Sequence, residues 1–137
     1  MDQRKMVLLA DASEEFRTLL REEIEKTGEF SVEVARVGNE VLKKTEERDP
    51  DLLVMDAMLA GMDGLSVLRQ LQKREDMPMT ILTSGFVSDR MLMEASELGA
   101  AYFLPKPFET ENLLDKMRGL FLQAPKECLP SLKTMVT

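Results

Sequence analysis

Four polar residues stand directly after four separate apolar runs. Asp11 follows Met6-Val7-Leu8-Leu9-Ala10 and Asp56 follows Leu52-Leu53-Val54-Met55. Thr83 follows Thr80-Ile81-Leu82, and Lys106 follows Tyr102-Phe103-Leu104-Pro105. If each run is a buried parallel strand, the four groups emerge at one edge of one sheet, where open α/β sheets bind ligands. Two carboxylates, a hydroxyl and an ammonium converging there suit a small, highly charged anion. A carboxylate can act as a nucleophile toward phosphorus and form an aspartyl phosphate. The incoming phosphoryl brings about two negative charges. Beside a second carboxylate that charge needs a cation, and Mg²⁺ bridging Asp11 and Asp56 would supply it. Lys106 adds a point charge, and the Thr83 hydroxyl can donate to a phosphoryl oxygen.

Each residue also has a plainer role. Asp11 alone reads equally well as a helix cap, Thr83 as structural, and Lys106, set between two prolines, as an exposed loop lysine. Asp56 is harder to explain that way, because a buried charge without a partner is costly. The joint placement at four strand ends is what favours a phosphoryl-accepting site.

The elements that would carry these residues alternate along the chain. Lys5–Ala10 reads as a buried strand. Ser13 is a helix N-cap with Glu14 and Glu15 in the first turn. Phe16, Leu19, Leu20 and Ile24 then recur at helical spacing, and Gly28 is the stop. Phe30–Val34 alternates at period two, as an edge strand does. Asn39–Glu47 reads as a short helix with Val41 and Leu42 inward, and Leu52–Met55 as the third strand. After the turn Gly61-Met62-Asp63-Gly64, Leu65, Leu68 and Leu71 stripe a third helix. Met79–Leu82 is the fourth strand. Asp89–Leu98 is the fourth helix, with Met91, Ala95 and Leu98 inward and Gly99 as stop. Ala101–Leu104 is a brief fifth strand. Leu113, Leu114, Met117, Leu120 and Phe121 give the clearest amphipathic helix. Five strand–helix alternations predict an α/β fold, a doubly wound five-stranded parallel sheet of flavodoxin-like order 2-1-3-4-5. Asp11 and Asp56 would face each other at its switch point. Residues 1–122 form the domain, and the Pro-containing tail 123–137 reads as a linker or flexible end.

Composition narrows the chemistry. The chain has 137 residues and a net charge of −7, with no His and a single Cys. An acidic chain repels nucleic acid, so this chain is expected to make no direct contact with it. The absence of His removes His-based triads, and with one Cys it argues against zinc. No apolar run approaches the length needed to cross a bilayer, and no signal-peptide core follows Met1. The lone Cys128 cannot form an internal disulfide, so a cytoplasmic location is expected.

The residues resemble the receiver domains of two-component response regulators from about Lys5 to Phe121. The resemblance is carried by Val7-Leu8-Leu9-Ala10-Asp11, Asp51-Leu52-Leu53-Val54-Met55-Asp56, Met62-Asp63-Gly64, Leu82-Thr83-Ser84 and Lys106-Pro107-Phe108. It implies Asp56 as phosphoacceptor, Asp11 as part of an acidic Mg²⁺ site, and the Met58 backbone carbonyl as a third metal ligand. It also implies Thr83 as switch hydroxyl, Phe103 as switch aromatic, Lys106 as the phosphate-contacting lysine, and a cis Lys106–Pro107 bond. The implied partners are a histidine kinase or phosphotransferase, a homodimer through the fourth and fifth helices, and a DNA-binding output domain outside this chain. Three segments, Asp49–Val54, Asp63–Leu68 and Gly99–Phe103, are most similar to the sporulation stage-zero transcription regulators of spore-forming bacteria. Such a domain is a phosphoacceptor that can catalyse its own phosphoryl transfer and slow dephosphorylation, not a metabolic enzyme.

Two positions depart from the family pattern. A second acidic residue, the direct metal ligand, normally follows the first strand, and here it is Ala12. Ala60-Gly61 replaces the usual proline after the third strand. The first departure predicts weakened Mg²⁺ binding. It leaves open a degenerate receiver working as a phosphorylation-independent interaction module. An aspartate-nucleophile phosphohydrolase would need a second Asp at position 58, which is Met. A nucleotide-binding flavodoxin-like protein would need glycine in the acidic loop Asp11–Glu15.

Overall fold

The computed structural model describes residues 4–74 and 77–122. Five strands alternate with five helices: β1 Lys5–Ala10, α1 Glu14–Glu25, β2 Phe30–Ala35, α2 Gly38–Arg48, β3 Leu52–Asp56, α3 Gly64–Gln72, β4 Met79–Ser84, α4 Asp89–Glu97, β5 Tyr102–Pro105 and α5 Thr110–Leu122. All four neighbouring strand pairs are parallel, in the order β2-β1-β3-β4-β5. The alternating β2 is an edge and β5 the other, as their patterns predict. Every residue of β3, the central strand, is buried.

Successive strand side chains point to opposite faces, so the apolar runs divide into two cores. Leu8, Leu53, Met55, Leu82 and Phe103 pack beneath α2, α3 and α4 with Val41, Leu68, Leu71, Ala95 and Leu98. Val7, Leu9, Leu52, Val54, Ile81 and Leu104 face α1 and α5, meeting Leu20, Ile24, Leu113, Leu114 and Met117. A run without polar alternation is what burial on both faces requires.

The helix starts follow capping chemistry. The side chains of Ser13, Asp63 and Ser88 each accept a hydrogen bond from the backbone N–H three residues on. Gly99, at φ +95°, turns the chain from α4 into β5 in a conformation that L side chains rarely adopt.

The structure differs from the sequence reading in a few places. β5 is shifted one residue, to Tyr102–Pro105, although Ala101 already donates its N–H to the Thr80 carbonyl at 2.8 Å. In α1, Leu19 is 60% exposed while Arg17 is buried. The buried stripe runs through Leu20 and Ile24, which puts Leu19 on the solvent flank. Arg17 escapes the usual cost of burial by donating from Nη1 to the Asp11 carbonyl at 2.7 Å. In α5 Leu120 and Phe121 are only partly buried beside the core, so its apolar face is less sharply set off than that of α3, where four of nine residues are buried. The expected tail, 123–137, lies outside the described residues.

Candidate functional site: an acidic pocket bridged by lysine

The strand register assembles the pocket. Ala10 pairs with Met55 and Asp56 with Thr83, which sets Asp11, Asp56 and Thr83 at one sheet edge. Ser84 pairs with Pro105, and Lys106 N–H donates to the Ser84 carbonyl at 2.8 Å, adding Lys106 at the same edge. Asp11, Asp56 and Thr83 are all buried. The Lys106–Pro107 peptide is cis.

Close backbone approach fixes where β3 releases Asp56. A Cβ on Gly64 would lie 2.7 Å from the Asp56 carbonyl oxygen and 2.8 Å from the Ala57 Cα. Only glycine lets α3 begin this near the acceptor strand. Gly64 N–H donates to the Ala57 carbonyl at 2.9 Å, and Ala57 N–H to the Thr83 carbonyl at 2.8 Å. The strand end is therefore held from both sides.

Inside the pocket the Lys106 Nζ lies 2.6 Å from Asp11 Oδ2 and 2.6 Å from Asp56 Oδ2. The other two oxygens are also engaged: Asp11 Oδ1 accepts from Ser13 N–H and Asp56 Oδ1 from Met58 N–H, each at 2.9 Å. Burial pushes the Asp56 carboxyl above its ordinary value. The hydrogen bonds from Lys106 and Met58 and the lysine charge offset only part of that, and the Asp11 charge adds to it. Burial presses the Lys106 ammonium down, but its hydrogen bonds to both aspartates and their charges outweigh this and hold it above the usual lysine value.

The residues do not fit a tightly held divalent cation. Position 12, where a second acid would stand, is an exposed alanine. Glu14 and Glu15 are exposed first-turn residues of α1 and do not replace it. All four carboxylate oxygens already accept a hydrogen bond, two of them from an ammonium. Among the described residues, no group of three His, Cys, Asp or Glu is arranged to hold a metal ion.

Sequence reasoning thus named four side chains that the structure brings together or sets side by side. The Met58 side chain is 65% exposed, and its backbone reaches the pocket through its N–H. Phe103 stands apart from the pocket, fully buried beneath α4 with Leu82 and Ala95. Two participants were missed. Arg17 holds the Asp11 carbonyl. Phe16 lies with its ring centroid 4.3 Å from the Lys106 Nζ. Phe16 is indistinguishable from a packing residue in sequence, and nothing local announces a contact with a lysine 90 positions later.

Comparison with known proteins agrees with the fold. Residues 7–118 match the family model described as "Response regulator receiver domain". The chain is 38% identical over 123 residues to the response regulator MprA of Mycobacterium avium, which covers 88% of this chain and 53% of that protein. It thus spans about half the length of the curated relatives it matches. Among solved structures, the receiver domain of the Francisella response regulator 1452 superposes with a TM-score of 0.81 at 27% identity, covering 87% of this chain and 98% of that one. The chemotaxis response regulator CheY4 of Vibrio cholerae shares the fold, with a TM-score of 0.78 at 22% identity over 86% of this chain and 99% of that one.

Proposed function

The chain belongs to the response regulator receiver domain family, and from that premise we propose that it is a switch set by phosphorylation of Asp56. The observation that carries the reading is the pocket itself: a buried carboxylate at the end of the central strand, beside Thr83 and in contact with the Lys106 ammonium.

Receiver domains of response regulators interact with histidine kinases or phosphotransferases. In the proposed reaction a carboxylate oxygen of Asp56 attacks the phosphorus of a phosphohistidine. The O–P bond forms, the P–N bond breaks, and its electron pair returns to the imidazole. Lys106 lies where it can follow the charge onto the phosphoryl oxygens. Thr83, the register partner of Asp56, donates its hydroxyl to the arriving group. In the proposed switch Thr83 moves toward the phosphoryl and Phe103, already buried, repacks into the space it leaves. To move such a switch from 1:99 to 99:1, phosphorylation must favour one state by about 5.5 kcal/mol. Phe103 has no hydroxyl and contributes to that only through packing.

The family generally binds Mg²⁺ at its acidic phosphorylation site. Here Asp11, Asp56 and the Met58 carbonyl are the proposed ligands of a weakly held ion. Residues 1–122 are the proposed receiver unit, with 123–137 leading toward an output domain that would carry any DNA binding. A homodimer through α4 and α5 is consistent with exposed Met93 on α4 and Leu122 at the end of α5. The sporulation assignment rests on the three sequence segments alone. No described helix is long and apolar enough to cross a membrane, and a cytoplasmic setting is proposed.

Ala12 and the lysine-bridged carboxylates favour one second reading, a degenerate receiver that binds partners without phosphorylation. Intact mass after incubation with Mg²⁺ and a small phosphodonor separates the two. A single phosphoryl adduct absent from Asp56→Asn supports the switch. No adduct at saturating donor and Mg²⁺ supports the degenerate module.

A further inference from the structure

We propose that Phe16 is a positioning residue for Lys106, seating its ammonium between Asp11 and Asp56 so that the lysine is the resident counter-cation of the unphosphorylated pocket. The inference rests on the same pocket as the phosphoacceptor reading, but it concerns the state before any phosphoryl arrives.

Lysine has a flexible four-carbon stem and its ammonium ordinarily finds water. Lys106 instead has its charged end enclosed on three sides. Two are carboxylate oxygens at 2.6 Å. The third is the Phe16 ring, whose centroid lies 4.3 Å from Nζ, within cation–π range. The ring is fixed in its turn. Phe108 meets it edge-on at 5.9 Å and 87°. Phe16 N–H donates to the Ser13 Oγ cap at 3.2 Å, and Ser13 N–H donates to Asp11 Oδ1. One short segment thus positions both the acid and the ring that face the ammonium.

The arrangement also explains the poor fit for a divalent cation. A phenyl face offers no lone pair to Mg²⁺, which takes hard oxygen ligands, but it does attract an ammonium. Where Ala12 removes a carboxylate, the side of the pocket toward α1 carries an aromatic ring. A metal ion entering here competes with Lys106, and Phe16 biases that competition toward the lysine.

The test uses Phe16→Leu, Phe16→Tyr, Lys106→Met and the Phe16→Leu/Lys106→Met double variant, each checked for folding by circular dichroism. In the protein with ¹³C-labelled lysine, the assigned Lys106 ε-methylene protons should resonate upfield of the other lysines through the ring current. Phe16→Leu should return them to the common position and Phe16→Tyr should not. Binding of Mn²⁺, followed by the paramagnetic resonance of the free ion, should tighten about 2- to 30-fold in Phe16→Leu, the range a cation–π contact supplies. In the Lys106→Met background the same substitution should change Mn²⁺ affinity by less than about 2-fold. Unshifted Lys106 signals in the wild type would overturn the proposal, as would an equal Phe16→Leu effect with and without Lys106. If Mn²⁺ binding is too weak to measure, the ring-current shift alone decides. Neither readout involves phosphorylation, so failure of Asp56 to accept phosphoryl leaves both results interpretable.

Discussion

Removing the lysine that bridges the two aspartates should reveal how much stability depends on it. In Lys106→Met the stem volume is kept and the charge lost. Each carboxylate oxygen lies 2.6 Å from Nζ, so the two are at most about 5 Å apart. Two unit negative charges at that separation repel by about 3 kcal/mol at an effective dielectric near 20. This matches the order expected when one partner of a buried ion pair is deleted. Against a typical domain stability of about 5–15 kcal/mol the variant should still fold. The loss must also depend on pH. Asp56 already has a raised carboxyl value in the fold, so the native state holds its proton more tightly than the unfolded chain. Stability attributable to this group therefore falls as pH rises from the ordinary value of 3.8 through the raised folded value. Without Lys106 only the Met58 hydrogen bond is left to offset burial, and that window widens. Urea denaturation followed by circular dichroism should give a large loss at pH 7.5 and a smaller one at pH 5. Asp56→Asn/Lys106→Met should recover most of it. A loss below about 1 kcal/mol, or one equal at both pH values, would refute the electrostatic reasoning.

Other variants probe the parts separately. Asp56→Asn alone should raise the urea midpoint at pH 7.5 by removing a charge that burial disfavours, and the gain should vanish as pH falls below about 4. Gly64→Ala should cost about 1–3 kcal/mol, because its Cβ meets backbone atoms of the acceptor strand. Gly119→Ala, in α5 with nothing within 4 Å of the added carbon, should stabilise by about 0.5–1 kcal/mol. Paired thermal melts read both glycine variants. Arg17→Met should cost about 1–3 kcal/mol by leaving the Asp11 carbonyl without its donor, and should slow phosphoryl uptake at Asp56 in a time course by intact mass.

The sheet was legible because its signals are local. Leu52–Met55 carries no polar residue, and only a strand covered on both faces tolerates that. The alternation of Phe30–Val34 exposes one face, which marks an edge. Strand order then followed from which runs were buried and from crossover handedness. The start of α1 was equally visible in Ser13, whereas Asp63, read only as part of a turn, also caps α3. What escaped depends on tertiary contact. Arg17 looks like a surface arginine until a carbonyl six residues back is seen to need its donor. Leu19 matches the apolar spacing but lies beside the stripe that Leu20 and Ile24 bury. The four pocket residues were readable from strand ends. The lysine bridge between the carboxylates and the ring over Lys106 arise only when α1, β3 and the loop after β5 meet. Ala12 was visible from the start, yet its partner in consequence, Phe16, was not.

The measurement that reaches the central claim most directly is chemical mapping of the modified residue. The chain would be treated with Mg²⁺ and a small phosphodonor, reduced with borohydride, digested and sequenced by mass spectrometry. An aspartyl phosphate at the end of β3 predicts homoserine at position 56 and at no other acidic residue. Homoserine at another aspartate, or none at saturating donor, would contradict a phosphorylation switch at Asp56.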